Sequence, residues 1–394
     1  MTSAAQSLFR DKDYAEAINV AYNVLTLSSS AAKDLQLNAW TVVAHSQFEQ
    51  ENFSEAEIAY RQLLARLPKE DSRHKELQER LAASVYKQGE KMRRQGNEKA
   101  AYAQFQRVGE LAPGANISVT AQFDAAASLL AQKQWLAAAQ TLNEFRSRNP
   151  GHQLSQQVPE KLYLAYVQSE QWSRAAAELE NMGNYKSNEV ERRTISLRAG
   201  ELYEKAGQFD NAVRIYKTYV GLYPKPLEQA VEIRFKLAGI AKEHENANRH
   251  KYWLNEVIQA DTQGGRERND RTRFLAAQSA LELAEPAYQE FAKASLIRPL
   301  KKSIKDKKEK MQIALKAYAR AADYNIAEVT TACTYKIAQI YTEFGDALLH
   351  SQRPKGLNQA ELSQYEVLLE EQAFPFEEKA IQILKGKIYK MREG

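Results

Sequence analysis

A single cysteine, Cys333, stands in 394 residues, which excludes an internal disulfide framework and a thiolate zinc cluster. Glycine and proline are also scarce, at 16 and 10 residues, roughly 4% and 2.5% against averages of roughly 7% and 5%. So few breakers in a chain of this length favour long helices. No run of about 18 apolar residues exists, which excludes a membrane-spanning helix. Net charge is small as well: 55 basic against 50 acidic residues leave +5, too little to imply nucleic acid on net charge alone. Pro-rich linkers, low-complexity tracts and an acidic tail are missing. The opening MTSAAQSLFRDKDY lacks the charged and apolar segments of a signal peptide, so no export signal is expected within the chain, although one removed upstream is compatible with it.

What is present is 44% apolar and 27% charged residues, enough for a sizeable core, arranged as a repeat. Ala17, Ala56, Ala101, Ala138, Ala175 and Ala212 recur in equivalent settings at spacings of 39, 45, 37, 37 and 37. Each is a position where a small side chain lets two helices approach. Three residues earlier stand Tyr14, Phe53, Trp135, Trp172 and Phe209, with Glu98 as the departure; these mark a turn and the start of a second helix. Twelve residues after the alanines come Pro68, Pro113, Pro150 and Pro224, with Ser29 and Ser187 in the remaining slots. Proline there ends one helical unit and begins the next.

This arrangement resembles the tetratricopeptide repeat (TPR). Residues 37–68 match its pattern with Trp40, Ala44, Phe53, Ala56, Tyr60 and Pro68, and residues 193–224 do so with Ala199, Gly200, Tyr203, Gly207, Phe209, Ala212, Tyr216 and Pro224. The resemblance implies an all-α, right-handed helical solenoid. Six repeats are expected over 1–226, and a degenerate seventh with a loop over 227–270, where Lys251 and Tyr252 fall at the expected alanine and TQGGRERND reads as loop. Spacings of 37 exceed the usual 34 and predict an added helical turn or a longer connection. Tyr14 leaves about ten residues for the first helix, so the natural chain is expected to continue upstream, or another chain to cover that end.

Residues 271–394 form a third region of longer helices. Ile304, Met311, Leu315, Tyr318 and Ala322 make one apolar stripe and Cys333, Ile337, Ile340, Phe344 and Leu348 a second. They predict two helices of about 20 to 25 residues, joined near Asp323 to Asn325 as an antiparallel hairpin. Cys333 on the apolar face reads as a buried small hydrophobe. Residues 327–383, chiefly SQRPKG at 351–356 and LLEEQAFPFEE at 368–378, are similar to the C-terminal segment of TPR proteins of proteobacterial cell envelopes, associated with TonB-type energy transduction or gliding motility. That resemblance implies assembly work at the envelope or in the periplasm; a cytoplasmic adaptor is the alternative. Such relatives typically continue beyond this motif, whereas this sequence stops at KMREG, so a full-length chain and a fragment are both compatible with it.

Catalytic patterns are poor. His244, Glu245 and His250 have the wrong spacing for a metalloprotease helix, which needs two histidines four residues apart on one face. Gly264 and Gly265 precede RERND with no strand before them, so no phosphate-cradling loop is formed, and the Asn52 and Asn116 glycosylation triplets are of a length that arises by chance. The chain is expected to be no enzyme and to take no metal or cofactor. Two binding surfaces are expected instead. In a TPR solenoid the first helix of each pair lines a concave groove, and the register places Phe48, Tyr86, Arg93, Phe123, Leu130, Leu164, Val167 and Leu197 there. This composition suits a helix or apolar peptide of a protein partner and lacks the Lys and Asn of chaperone-tail clamps; some of these side chains could equally fill space between repeats. The second candidate is a basic patch, Lys301, Lys302, Lys305 and Lys308, with Lys307, Lys310, Arg266, Arg268, Arg271 and Arg273 nearby. It suits an anionic lipid or phosphate, but Asp306 and Glu309 are interleaved and no aromatic lies within 301–310 to stack bases. Membrane association is thus expected only indirectly or through this patch. The proposed role is a scaffold or adaptor.

Overall fold

The computed structural model describes residues 2–27 and 33–393, with side chains at all of these except 27 and 386–393. The described residues form 18 α-helices and two short 3₁₀ turns with no strand, an all-α fold of stacked helix pairs in the TPR manner. Contacts group the chain into two compact units, Met1–Gln208 and Phe209–Gly394, dividing it between the two helices that the sequence assigns to the sixth repeat rather than at 226 or 270.

In the first unit the pairs are α1 (Thr2–Arg10) with α2 (Tyr14–Leu27), α3 (Lys33–Glu49) with α4 (Phe53–Arg66), and α5 (His74–Arg94) with α6 (Glu98–Leu111). Then come α7 (Asn116–Ala131) with α8 (Trp135–Arg148) and α9 (Val158–Gln168) with α10 (Trp172–Tyr185), and α11 (Glu189–Lys205) closes the unit. The second holds α12 (Phe209–Leu222), the pair α13 (Leu227–Glu243) and α14 (Ala247–Gln263), and four longer helices, α15 (Asp270–Lys293), α16 (Leu300–Ala322), α17 (Ala327–Leu349) and α18 (Gln359–Glu393). Helices pack chiefly on their sequence neighbours, and first helices also touch the next first helix, as α1 does α3 and α5 does α7.

The six repeat-marking residues, Glu98 included, are the first residues of α2, α4, α6, α8, α10 and α12. The six alanines three residues on are fully buried; in the five pairs of the first unit that position lies one turn into the second helix, on the side turned to its partner helix. Pro68, Pro113, Pro150 and Pro224 each follow the end of a helix by two residues, and Ser187 does the same after α10; Ser29 lies outside the described residues. The residues beyond a 34-residue period go into the 21-residue α5, the 17-residue α11 and the 3₁₀ turn Gln153–Gln157 ahead of α9. In the seventh pair the position three after the helix start is His250, not Lys251 or Tyr252. Its Nδ1 lies 2.9 Å from the Ala238 carbonyl oxygen, so a polar contact replaces the small-residue approach. The expected loop at 262–270 is shorter, since α14 runs to Gln263 and a 3₁₀ turn spans Gly265–Glu267.

One recurring device is not visible in the repeat pattern. Two residues before the second helix of each pair the backbone is left-handed, at Lys12, Glu51, Gly96, Lys133, Glu170, Gly207 and Glu245, with φ between 53° and 77°, and Asn325 (φ 55°) does the same between α16 and α17. The next residue's N–H then donates back to the carbonyl five residues earlier, as Asn52 does to Gln47 and Gln134 to Leu129, both at 2.9 Å. This is the Schellman closure, which satisfies carbonyls left over at the helix end. Only Gly96 and Gly207 adopt the conformation without a Cβ penalty. Lys133→Gly is therefore expected to stabilise the first unit by up to about 1 kcal/mol, read as a higher urea midpoint at unchanged slope. An equal or lower midpoint would show that the Lys133 turn carries no strain.

In the second unit the predicted hairpin is α16 with α17, and Met311, Tyr318, Cys333, Ile340, Phe344 and Leu348 are buried in one cluster. Lys307, expected on the basic face, is instead buried. Its ammonium donates to the carbonyl oxygens of Phe291 (3.1 Å) and Ala294 (2.8 Å) and lies 4.4 Å from the Phe291 ring centre. Carbonyls at the C-terminus of α15 attract a cation, and burial pushes this ammonium's pKa down. At the other end of α15, Asn269 and Thr272 form a capping box. The buried Asp261 accepts from Thr272 Oγ1 (2.8 Å) and from Arg268 Nη2 (2.7 Å), fixing the turn that carries the basic loop.

Candidate functional site

Counting back from the left-handed turn residue gives the register of the first-helix face expected to line a groove. Ten residues before it stand Thr41, Tyr86, Phe123, Glu160 and Leu197; three before it stand Phe48, Arg93, Leu130, Val167 and Glu204. The structure sorts these by burial. Phe123 and Leu130 on α7 are only 6% and 9% exposed, which corrects their placement as open groove lining. Phe123 packs on the Phe145 ring of α8 (5.4 Å between centroids), and Lys161 Nζ of α9 lies 5.4 Å from the Phe123 ring centre. Phe123 thus fills space between neighbouring pairs, and Leu130 is buried beside it on the same helix.

Tyr86 and Arg93 on α5 are half-buried and committed to one network. Asp124 on α7 accepts from the Tyr86 hydroxyl at 2.6 Å and from Arg93 Nη1 at 3.0 Å, and Arg93 Nη2 donates to the Asp124 carbonyl oxygen at 2.9 Å. The guanidinium also lies 4.6 Å from the Phe105 ring centre. Burial, then the bond to Asp124, pushes the Tyr86 phenol pKa up. Arg93 thus clamps two first helices together instead of offering a free cation to a ligand. Phe48 is half-buried against Phe53 (5.4 Å between centroids), with the Arg80 guanidinium 6.0 Å from its ring.

His45 on α3 shares that face. The Tyr60 hydroxyl lies 3.0 Å from its Nδ1, and burial, then the Arg80 charge, holds its pKa below the ordinary value. Below an ordinary imidazole pKa of about 6.5 the unfolded chain takes up a proton that folded His45 resists, so stability falls as pH falls through that window. Acidification from about pH 7.5 to pH 5.5 should therefore destabilise the wild type more than His45→Gln, measured by urea midpoints at each pH. Equal slopes in the two proteins would remove His45 from the pH response.

The open part of the face lies on α9 and α11. Leu164 is 44% exposed, and Val167 and Leu197 are half-buried. Arg198 of α11 bonds to the side chain of Tyr163 of α9 and to Glu201 Oε2 at 3.0 Å, which links the two helices. Tyr163, Arg198 and Lys161 escape the sequence reading, because each stands beside, not on, the register columns. Their signal is the Tyr/Lys/Arg cluster next to an exposed leucine.

The basic patch is only partly available. Lys301, Lys302, Lys305 and Lys308 are exposed on α16, and Lys305 approaches Glu309 at 4.0 Å, while Lys310 pairs with Asp306 at 3.1 Å. Arg271 pairs with Glu232 at 2.9 Å and Arg273 donates to the Tyr324 carbonyl oxygen at 3.0 Å. With Arg268 on Asp261, most arginines of the expected patch serve the fold. His244 caps the end of α13 and His250 stands on α14; His244 packs on Phe209 at 4.3 Å, and His250 Nε2 is 3.1 Å from Glu282 Oε2. Cys333 is buried. No helix among the described residues is long and apolar enough to cross a membrane.

Among solved structures, the chain is similar to the C-terminal part of a TPR repeat-containing protein from Cytophaga hutchinsonii, at 13% identity and a TM-score of 0.29 over 68% of this chain and 98% of that one. A tetratricopeptide repeat protein from Parabacteroides merdae gives 14% identity and 0.27 over 77% and 98%. PilF of Pseudomonas aeruginosa gives 16% and 0.24 over 62% and 98%. Likenesses this low bear on neither partner nor activity. No curated protein matches the chain. The family profile described as tetratricopeptide repeat matches residues 196–226, within or just beyond the stretch 193–224 whose residues carry the repeat pattern most fully.

Proposed function

We propose that the chain is a non-catalytic scaffold that holds a helix or apolar peptide of a protein partner on the concave face of its first unit, within an envelope-associated complex. The observation that carries this is the exposed Leu164 beside half-buried Val167 and Leu197. They are apolar side chains on the face that TPR solenoids use for partners, and the neighbouring α7 buries its own. Burying them under a ligand yields roughly 1.5 to 3 kcal/mol each at most, which suits a short peptide or one helix face. The envelope setting is supported by the resemblance of 351–356 and 368–378 to envelope TPR proteins.

A photo-crosslinking amino acid at Leu164 or Leu197, in full-length protein in its own cell, tests the reading. One partner adduct is expected at both positions and in the envelope fraction, and none from Leu136, which is 59% exposed on the second helix α8. Adducts from Leu136 alone would move the site to the opposite face, and adducts confined to the soluble fraction would favour a cytoplasmic adaptor.

A further inference from the structure

The last helix carries a second surface that the concave-face reading does not use. On one side α18 spends Leu369, Ala373 and Ala380, all buried, and Phe376, whose ring sits 4.7 Å from Phe344 of α17. The approach is close: a Cβ on Gly345 of α17 would stand 3.6 Å from the Ala373 carbonyl oxygen. Away from this contact Val367, Phe374 and Ile381 are 55%, 62% and 51% exposed. They recur every seven residues, a seam with steps of about 10.5 Å along the helix. An apolar period of seven is what a second helix matches when two helices wind about each other; an extended strand does not follow it.

The charge beside Val367 and Phe374 is acidic, while Lys379 and Lys385 stand exposed toward the C-terminal end of the seam. Glu370, Glu371 and Glu378 are exposed and Glu377 is half-buried. Among the described residues none of the four makes an ion pair, whereas Glu366, one turn earlier, lies 3.7 Å from Arg353. Pro375 adds a further acceptor: it has no N–H, so the Glu371 carbonyl lacks its helical donor. All of this falls within or beside the stretch 368–378 singled out in the sequence.

We infer that α18 is a docking face for a basic amphipathic helix of a partner protein, its apolar stripe on Val367, Phe374 and Ile381 and its lysines or arginines on the four glutamates. A second copy of α18 fits worse. With Phe374 on a two-fold axis and Val367 against Ile381, Glu370 and Glu371 would face Glu378 and Glu377 of the other copy, a like-charge contact. Anionic lipid is repelled for the same reason.

The test uses full-length protein and two fluorescein-labelled synthetic helices of about three heptads. Both have leucine at the seam positions; one has lysine and the other glutamate on the flanks. Fluorescence anisotropy is expected to show the lysine peptide binding at least about tenfold more tightly than the glutamate peptide. Phe374→Ser should weaken the lysine peptide by a similar factor at unchanged helical circular dichroism. The triple variant Glu370→Lys, Glu371→Lys, Glu378→Lys should reverse the preference. Equal binding of both peptides, wild-type affinity in Phe374→Ser, or an unreversed preference in a folded triple variant would overturn the assignment. So would a concentration-dependent dimer in sedimentation that Phe374→Ser abolishes while the lysine peptide fails to bind, which would make a second copy the occupant.

Discussion

Ala138→Trp is expected to destabilise the first unit by at least about 1 to 3 kcal/mol, and Ala212→Trp the second by as much. Both alanines are fully buried one turn into a second helix, so an indole must force helices apart or leave its rotamer wells, and interiors packed at crystal density have little room to yield. Gly89→Val adds a related case. A Cβ at Gly89 of α5 would lie 2.6 Å from the ring of Phe105, itself buried against that helix. The comparison variant is Glu90→Ala, next along the same helix. Glu90 is half-buried and pairs with Lys87 at 2.6 Å, and loss of such a pair usually costs about 0 to 1 kcal/mol. Thermal and urea unfolding of the four variants should separate the three small-to-large changes from Glu90→Ala. Similar melting for all four would mean that the small positions are not helix contacts.

The legibility of the repeat positions has a plain cause. A small residue between helices, an aromatic at a helix start and a proline past a helix end are each demanded by local geometry, so Ala56, Trp172 and Pro150 announce their places without any knowledge of neighbours. The left-handed turns differ. Gly96 and Gly207 are readable from sequence, but Lys12, Glu51, Lys133, Glu170 and Glu245 hold the same conformation with side chains common anywhere on a surface. There the packed pair imposes the backbone, and composition carries no trace of it.

Charge misleads for a similar reason. Lys307 and Lys308 are indistinguishable in the string KDKKEK, yet the helix period turns one onto the carbonyl end of α15 and leaves the other exposed. Arg93 likewise reads as a groove cation until Asp124, 31 residues away, supplies a carboxylate and a carbonyl oxygen for it. Sequence period assigns a residue to a face of its own helix. Whether the next helix covers that face depends on stacking between repeats, which the period does not contain.

Within the groove, coverage by the next helix decides whether a substitution acts on stability or on binding. Phe123→Ser and Leu130→Ser are expected to act on stability, because both side chains are buried and Phe123 packs on Phe145 of α8. Truncating a buried Phe or Leu commonly costs about 2 to 5 kcal/mol, and the serine hydroxyl adds the cost of a buried polar group. Leu164→Ser should leave the melt within about 0.5 kcal/mol of wild type, because Leu164 is 44% exposed. Its loss instead removes apolar area that a partner would cover, worth roughly 1.5 to 3 kcal/mol if fully buried, or about tenfold and upward in affinity. Melting curves for the three variants, with titration of a crosslink-identified partner against each folded one at low and high salt, separate the two effects. Weak salt dependence and a loss of affinity confined to Leu164→Ser are expected, since the contact proposed is apolar and surface charge pairs are what salt screens. A Phe123→Ser protein that melts like wild type but no longer binds would show that α7 opens its interior to the partner. Steep salt dependence with full affinity in Leu164→Ser would shift the site to the exposed lysines of α16.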